Sequence, residues 1–253
     1  MVAVRFGART MHVGSQATKA NVPDVTRARL VDNALHLFAR HGYDGVTTRT
    51  LSAAANTNIS SIAYHFGGKE GLYEAVFNQV RADFQKSLTP ALTSLSHGVA
   101  VAGRDKKNLA RVTREFLRSF FAIMLGDPQM QDRMSIVARE FARRSEGFGL
   151  FYSEAARPLQ TSLANLVAAA NNMSPESHET IIQVQCLIGQ LVSFLIIRQV
   201  LWTRLNWHSF TPERIDMITQ EATVVALRAL NLDTAEAAAQ LPQAGGMRSG
   251  DFR

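Results

Sequence analysis

Hydrophobic positions along most of the chain recur every three or four residues, which is the spacing typical of helices. The first such stripe includes Leu30, Ala34 and Phe38 and ends before Gly42, so it predicts a helix over roughly Thr26–His41. No segment alternates strictly between apolar and polar residues as a half-buried strand does. The pattern therefore predicts an all-α fold.

Capping residues and prolines predict further helix boundaries. A capping residue followed by proline at the first helical position predicts the starts of three later helices, at Asp127-Pro128, Ser174-Pro175 and Thr211-Pro212. The segment from Thr89 to Gly103 is uncharged and rich in Ser, Ala and Gly, and we expect it to be a loop.

Two short helices are predicted between Val46 and Leu72. Thr47 or Thr48 can cap the first, which runs to Ala55 with Leu51 and Ala54 on its inner side. Because helices this short are not stable alone, both must pack against the first long helix. The arrangement predicts a three-helix helix-turn-helix unit.

The break between these two helices is Asn56-Thr57-Asn58. Asn56 belongs to the few residue types that tolerate left-handed backbone angles, and Asn58 is a good cap for the helix that follows. That second helix, from about Ile59 to Phe66, has the position of a helix that enters the major groove of DNA. Its inward positions are Ile62 and Phe66, and its outward positions are Ile59, Ser60, Ser61, Tyr64 and His65.

The residues from Thr26 to Val76 resemble the tetracycline-repressor family of bacterial regulators. The resemblance is carried by Gly42-Tyr43, Thr47-Thr48, a small-residue helix, Ala63-Tyr64-His65-Phe66, Gly67-Gly68-Lys69-Glu70 and Leu72-Tyr73. Asn56 stands where the family usually has glycine in the turn. Ala63 stands where many members have a tyrosine that touches phosphate, so Tyr64 or His65 would take that part. The C-terminal portion, with Arg139-Glu140 and the helix from Pro212 to Leu230, is similar to the CecR-like branch of the family.

The resemblance implies which residues contact double-stranded DNA, a homodimeric assembly and a small-molecule effector in the larger domain. The implied DNA surface consists of Thr48, Arg49, Asn58, Ser60, Ser61, Tyr64, His65 and Lys69.

An aromatic and methionine-rich set indicates where the effector binds. It includes Phe120, Met124, Met134 and Phe151. Such soft side chains suit a pocket for a hydrophobic ligand, but they equally suit an ordinary helical core. The adjacent polar residues are Arg139 and Glu140, which we expect either to anchor the ligand or to form an ion pair.

An uncharged segment from Thr180 to Ile197 indicates a dimer interface. Three glutamines interrupt it, which argues against a membrane span. Its lone Cys186 is expected to be buried, and Gly189 and Ser193 form a small face. The last helix offers Ile218, Ala222, Val225 and Ala229 at helical spacing, so two helices per subunit could form a four-helix bundle across a two-fold axis.

Charge and composition narrow the function classes. The chain has 253 residues and a net charge of +6, and residues 1–70 hold eight basic and four acidic side chains. The first quarter is therefore the candidate to face a polyanion. A single cysteine excludes an internal disulfide and favours a reducing, cytoplasmic setting. No sequence motif for catalysis, metal or a cofactor is found, so we expect no enzyme, no metal and no cofactor.

The predicted organisation has four parts. Residues 1–22 form a disordered basic arm whose composition could also pass for a transit peptide; residues 23–70 form the helix-turn-helix domain; residues 71–232 form the effector-binding and dimerisation domain; residues 233–253 form a flexible tail. We expect a ligand-responsive regulator, a repressor that binds a palindromic operator. The alternative is an α-helical small-molecule carrier or scaffold whose short helices contact protein.

Overall fold

The computed structural model describes the backbone of residues 22–143 and 146–232, and their side chains except those of residues 22–24 and 142–148. The predicted arm, apart from its last residue, and the predicted tail lie outside the described residues. Within them the chain is helical and without strands, so the all-α prediction is confirmed. The helices are α1 (Val22–His41), α2 (Thr48–Ala54), α3 (Ser60–Phe66), α4 (Lys69–Ala102), α5 (Lys106–Gly126), α6 (Pro128–Arg143), α7 (Glu146–Phe151), α8 (Arg157–Asn171), α9 (His178–Ile196), α10 (Arg198–Leu205) and α11 (Pro212–Ala229), with a π-helical turn at Tyr152–Ala156.

Helix α1 connects the N-terminal helices to the rest of the chain. It begins four residues earlier than its apolar stripe predicts, and it packs against α2, α4 and α6. Phe38 is fully buried, and its ring lies edge-on to Tyr73 of α4 at a centroid distance of 5.0 Å. The ring of Tyr43 lies 5.2 Å from that of Tyr73. These aromatic rings join α1 and the loop after it to the start of α4.

The predicted loop from Thr89 to Gly103 is wrong, because α4 continues through it to Ala102. Pro90 sits inside the helix, and the hydroxyl of Thr89 donates to the carbonyl of Gln85. The small residues serve close packing: a Cβ added at Gly98 would meet Val112 of α5 at 2.8 Å. Low charge here therefore does not indicate an irregular connection: the inner face of this helical segment packs against α5 and α8, and its outer face is exposed.

Two of the three proline-marked helix starts are confirmed. Asp127 accepts from the backbone N–H of Gln129 at 2.8 Å before α6, and Thr211 caps α11. The third is wrong: α9 begins at His178 with Ser177 as its cap, and Ser174-Pro175 forms a preceding turn. Proline is as compatible with that turn as with a first helical position.

The larger helical region is built around α5, which packs against α4, α6, α8 and α11. Phe121 is fully buried in α5, and its ring lies 5.6 Å from that of Phe194 in α9. At the start of α11, a hydrogen bond with the Thr211 side chain lowers the pKa of exposed Glu213.

Candidate nucleic-acid interface and cavity

The turn between α2 and α3 has the local geometry that its sequence predicts. Thr47 caps α2 by accepting from the backbone N–H of Thr50 at 3.1 Å. Asn56 has a φ of 47°, in the left-handed region that asparagine tolerates. The side chain of Asn58 accepts from the backbone N–H of Ser60 at 3.1 Å. These contacts fix the direction in which α3 leaves the turn.

One face of α3 is held inside and the other is free. Ile62 is buried at 1% exposure, whereas Tyr64 is 80% exposed. Ser60 and Ile59 are also exposed, while Phe66 is half-buried. On α2, Leu51 is buried as expected, but Ala54 is exposed and Ala55 takes the inner position. The predicted orientation of α3 is therefore confirmed at Ile59, Ser60, Ile62 and Tyr64, and the remaining positions, Ser61, His65 and Phe66, are half-buried. The inward position of α2 is shifted by one residue, from Ala54 to Ala55.

The other residues that are expected to contact DNA differ in how far their side chains are exposed. Arg49 and Asn58 are exposed, and Thr48 is half-buried at the start of α2. Ser61 is half-buried and its hydroxyl accepts from Thr57 at 3.0 Å. His65 is half-buried, with its ring 4.9 Å from that of Tyr64. The exposed members of the set are thus Tyr64, Ser60, Arg49 and Asn58.

Lys69 lies just beyond the end of α3. The helix ends at Gly67, whose φ of 74° suits glycine, and Lys69 opens α4. The Lys69 ammonium lies 4.1 Å from the ring centroid of Tyr43. This cation–π contact fixes the position of the Lys69 ammonium against the loop that precedes α2.

Two arginines of α1 support this surface and were not found by sequence reasoning. The guanidinium of Arg29 donates to the carbonyls of Ala55 and Asn56, the latter at 3.1 Å, so it satisfies carbonyls at the end of α2. Arg27 lies over the ring of Phe66 at 5.2 Å. The one sequence feature that indicated a role for these arginines is the excess of positive charge in residues 1–70. Their contacts could not be predicted, because they join residues far apart in sequence.

A large apolar cavity lies in the second helical region. It has a volume of about 570 Å³, within the range of small-molecule sites. Four of the six residues expected to bind an effector line it: Phe120, Met124, Met134 and Phe151. The π-helical turn forms part of the wall through Tyr152, Ala155 and Ala156, and Glu154 of that turn pairs with Arg81 of α4 at 3.0 Å.

The structure places Arg139 and Glu140 outside this cavity. Arg139 donates to the carbonyl of Ala39 in α1 at 3.4 Å, and buried Glu140 accepts from the hydroxyl of Tyr73 at 2.6 Å. The reason is helical spacing: Met134, Ala138 and Phe141 of α6 face the cavity, so Arg139 and Glu140, which lie between the last two, project from other sides of the helix. A role as ligand anchors does not fit this placement.

The expected dimer residues separate into three groups. Gly189 and Ser193 line the cavity, and Gly189 is also exposed. Val225 and Ala229 are exposed on α11. Ile218 and Ala222 are 5% and 2% exposed within one subunit, so they cannot lie between subunits. Sequence analysis could not separate the exposed residues of α11 from the buried ones, because both faces of this helix carry apolar residues.

Helix α9 is only partly covered by the rest of the chain. Among the described helices, α9 is the one that is long and apolar enough to cross a membrane, and 28% of its apolar stretch is buried in the subunit. Length and composition alone are weak evidence for a membrane span. An exposed strip runs along it at spacings of three and four residues, and Cys186, expected to be buried, lies in this strip. We call the residues Ile182, Cys186, Gly189, Ser193 and Ile197 the α9 strip; Ser193 is half-buried, and Ile197 directly follows the last residue of the helix.

Among the described residues, no group of three or more His, Cys, Asp or Glu side chains could hold a metal. The structure therefore offers two candidate sites, the outward face of α3 and the apolar cavity. Helix α3 is short, packs against other helices and keeps its polar face outward, and it is joined to a helical region with a cavity. This arrangement is that of a helix-turn-helix protein.

Comparisons with known proteins agree with this class. Residues 30–76 match the family model described as bacterial regulatory proteins, tetR family, and residues 110–231 match the C-terminal domain of the HTH-type transcriptional dual regulator CecR. The chain belongs to the TetR family of transcriptional regulators. Its relatives are regulators and not enzymes.

Two curated relatives illustrate the match. The CecR regulator of Shigella flexneri is 24% identical over 197 residues, covering 78% of this chain and 87% of that protein. The repressor AcnR of Corynebacterium glutamicum is 30% identical over 115 residues, covering 45% of this chain and 48% of that protein.

Two solved structures share the fold. AibR, solved in complex with isovaleryl coenzyme A and operator DNA, has a TM-score of 0.57 and 14% identity over 79% of this chain and 97% of that one. A TetR-like regulator from Rhodococcus sp. RHA1 has a TM-score of 0.58 and 15% identity over 81% of this chain and 96% of that one. At these identities the likeness shows the fold alone.

Proposed function

We propose that this TetR-family regulator is a ligand-responsive repressor in the cytoplasm that binds a palindromic operator as a homodimer and is released by a small hydrophobic effector. The observation that carries the proposal is the position of helix α6. One side of α6 forms part of the cavity wall, and the other side contacts α1 and α4, which pack against α2 and α3.

The cavity side of α6 is apolar. Met134, Val137, Ala138 and Phe141 line the cavity at helical spacing. A ligand in the cavity contacts these side chains, and a ligand whose shape differs from that of the cavity must move them. Any shift of α6 is then imposed on the elements bound to its other side.

The opposite side of α6 bonds to α1. Asp132 lies 2.7 Å from Nδ1 of His36, and Arg139 reaches the carbonyl of Ala39. His36 and Asp132 are partly exposed, so their contact adds little to the stability of the fold. Its main role is to fix the position of α6 against α1. Helix α1 in turn carries α2, so movement of α6 reaches the helix-turn-helix unit directly.

The same side of α6 also bonds to α4. Arg133 pairs with Asp83 at 2.8 Å, and Glu140 accepts from Tyr73 at 2.6 Å. Because α4 begins directly after α3, these contacts allow α6 to pivot the first half of α4 and the recognition helix with it. The effector must bind the non-operator arrangement more tightly, since a ligand shifts an equilibrium only by its differential affinity.

DNA binding is assigned to the outward face of α3 and its surroundings. We assign the exposed hydroxyl of Ser60 to base edges, and Tyr64, Arg49 and Lys69 to phosphates. Phosphate contacts would make the affinity fall steeply with salt. In a dimer the two α3 helices should lie about 34 Å apart, or near a multiple of that distance, to meet successive major grooves.

The homodimer is assigned to α9 and α11. Ile182 of the α9 strip is 63% exposed, and Val225 and Met217 of α11 are 53% and 50% exposed. An uncharged strip at three- and four-residue spacing suits packing against a second helix. Two such helices from each subunit would form a four-helix bundle.

Genomic footprinting with the purified full-length protein tests the proposal. We expect protected palindromic sites whose half-sites are separated by one helical turn or a multiple of it. A Tyr64→Ala, Lys69→Ala double variant should weaken binding to every duplex and flatten its salt dependence. Full operator binding by that folded variant would overturn the assigned surface.

A further inference from the structure

The walls of the cavity restrict the chemistry of its ligand. Of the described residues that line it, none carries a charge at neutral pH. The polar side chains on the wall are Tyr152, Gln160, Gln185 and Ser193, and the rest are apolar or glycine. The binding site therefore offers dispersion contacts and a few uncharged hydrogen-bonding groups.

The most enclosed part of the cavity is apolar. Phe84, Phe120, Met124, Val137 and Leu195 are each at most 3% exposed. A charged group brought against these side chains would lose its hydration without gaining a partner, which is strongly unfavourable. The apolar part of a ligand must occupy this region.

The polar groups lie toward the more accessible wall. Gln185 is exposed, while Gln160 and Ser193 are half-buried. The Ser193 hydroxyl already donates to the carbonyl of Gln190 at 2.8 Å, which leaves its oxygen as an acceptor. An amide offers both donors and acceptors, so Gln160 and Gln185 suit a hydroxyl, ester or ketone group. Neither glutamine can neutralise a carboxylate or a phosphate.

From this lining we infer that the effector is an uncharged, largely hydrocarbon molecule with one polar end, and that the cavity selects against anions such as carboxylates and acyl coenzyme A thioesters. The inference deepens the proposed function and rests on the cavity being the effector site. It separates this chain from the structural neighbour AibR, which was solved with isovaleryl coenzyme A.

Matched pairs of ligands test the inference. Straight-chain alcohols of six to twelve carbons, the corresponding carboxylates and octanoyl coenzyme A are titrated into the full-length protein at pH 7 by calorimetry. At least one alcohol should bind, and it should bind at least about tenfold more tightly than the carboxylate of equal length. Equal affinity, a preference for the carboxylate or the thioester, or no binding by any alcohol would overturn the inference.

A charge introduced on the wall should reverse the preference. Gln160→Arg should raise carboxylate affinity at least about tenfold and lower alcohol affinity, because the guanidinium supplies the missing partner. Gln199→Arg, at an exposed position of α10 outside the cavity, is the matched control and should change neither. If Gln160→Arg does not fold, Gln160→Lys provides the same test. An equal effect of the Gln199 and wall variants would contradict the assignment.

Operator binding is measured separately by gel shift without ligand. A protein that binds its operator but prefers carboxylates refutes the inference and leaves the proposed function intact. A protein that prefers alcohols but binds no operator supports the inference about the cavity and refutes the proposed function.

Discussion

Helices α3 and α9 both present large side chains to the surface, but the two surfaces differ in chemistry. The free face of α3 carries the hydroxyls of Tyr64 and Ser60, near Arg49 and Lys69. The α9 strip carries two isoleucines, a cysteine, a glycine and a serine, and none of these side chains is charged. A polar face is stable in water and needs no partner. Apolar area exposed to water is unfavourable by about 25 cal/mol per Å², so an apolar face is stabilised when a partner covers it. Exposure alone therefore does not identify a partner; the chemistry of the exposed side chains does.

The largest expected effect concerns the buried side of α3. Ile62→Ala should destabilise the helix-turn-helix unit by about 2–5 kcal/mol, because Ile62 is 1% exposed and its removal leaves a cavity. Operator binding should fall with it. Chemical denaturation measures the change in the free energy of unfolding. Ile59→Ala is the matched control at an exposed position, and an equal loss of stability there would show that α3 is not oriented as described.

The α9 surface should respond to charge in a different way. Ile182→Asp should weaken self-association by about 100-fold or more while leaving the monomer folded, since Ile182 is 63% exposed and would place a carboxylate within an apolar interface. Analytical ultracentrifugation over a range of concentrations reports the dissociation constant. Val101→Asp, at an apolar position of α4 that is 73% exposed, is the control. An unchanged mass for Ile182→Asp would rule against α9 as the interface.

The connection between the cavity and α3 should weaken when α6 is loosened from α4. Tyr73→Phe removes the hydroxyl that donates to buried Glu140, at an expected cost of about 1–3 kcal/mol in stability. Ligand affinity should change little, while the amount by which ligand lowers operator affinity should shrink. Calorimetry and gel shifts with and without ligand separate the two. Undiminished release of the operator would show that this contact does not transmit the signal.

The smallest effect is expected for a single group on the free face of α3. Ser60→Ala should alter operator affinity by about 1 kcal/mol and change the preferred base at one position, without changing the salt dependence. Selection from a randomised operator library measures the preference. A uniform loss on all sequences would reassign Ser60 from base reading to phosphate contact.

The sequence predicts local features of the helix-turn-helix unit well, because they depend on neighbouring residues. Thr47 as a cap, Asn56 in the left-handed region and the inward position of Ile62 follow from residue type and helical period. The contacts of Arg29 with the end of α2 could not be predicted, since they join positions 26 and 27 residues apart.

Features of the larger region depend on which face of a helix meets which neighbour. The aromatic and methionine set identified the cavity, but Arg139 and Glu140 project from the other side of α6. Ile218 and Ala222 are covered by their own subunit. Helical period places residues on a common face without saying what that face contacts, so these assignments required the structure.

The single cysteine of the chain, Cys186, is exposed and lies within the α9 strip. A thiol-reactive fluorophore added to the natural sequence would therefore attach at one defined position, without engineered residues. Its rate of attachment would report directly how much of the time this strip is open to solvent.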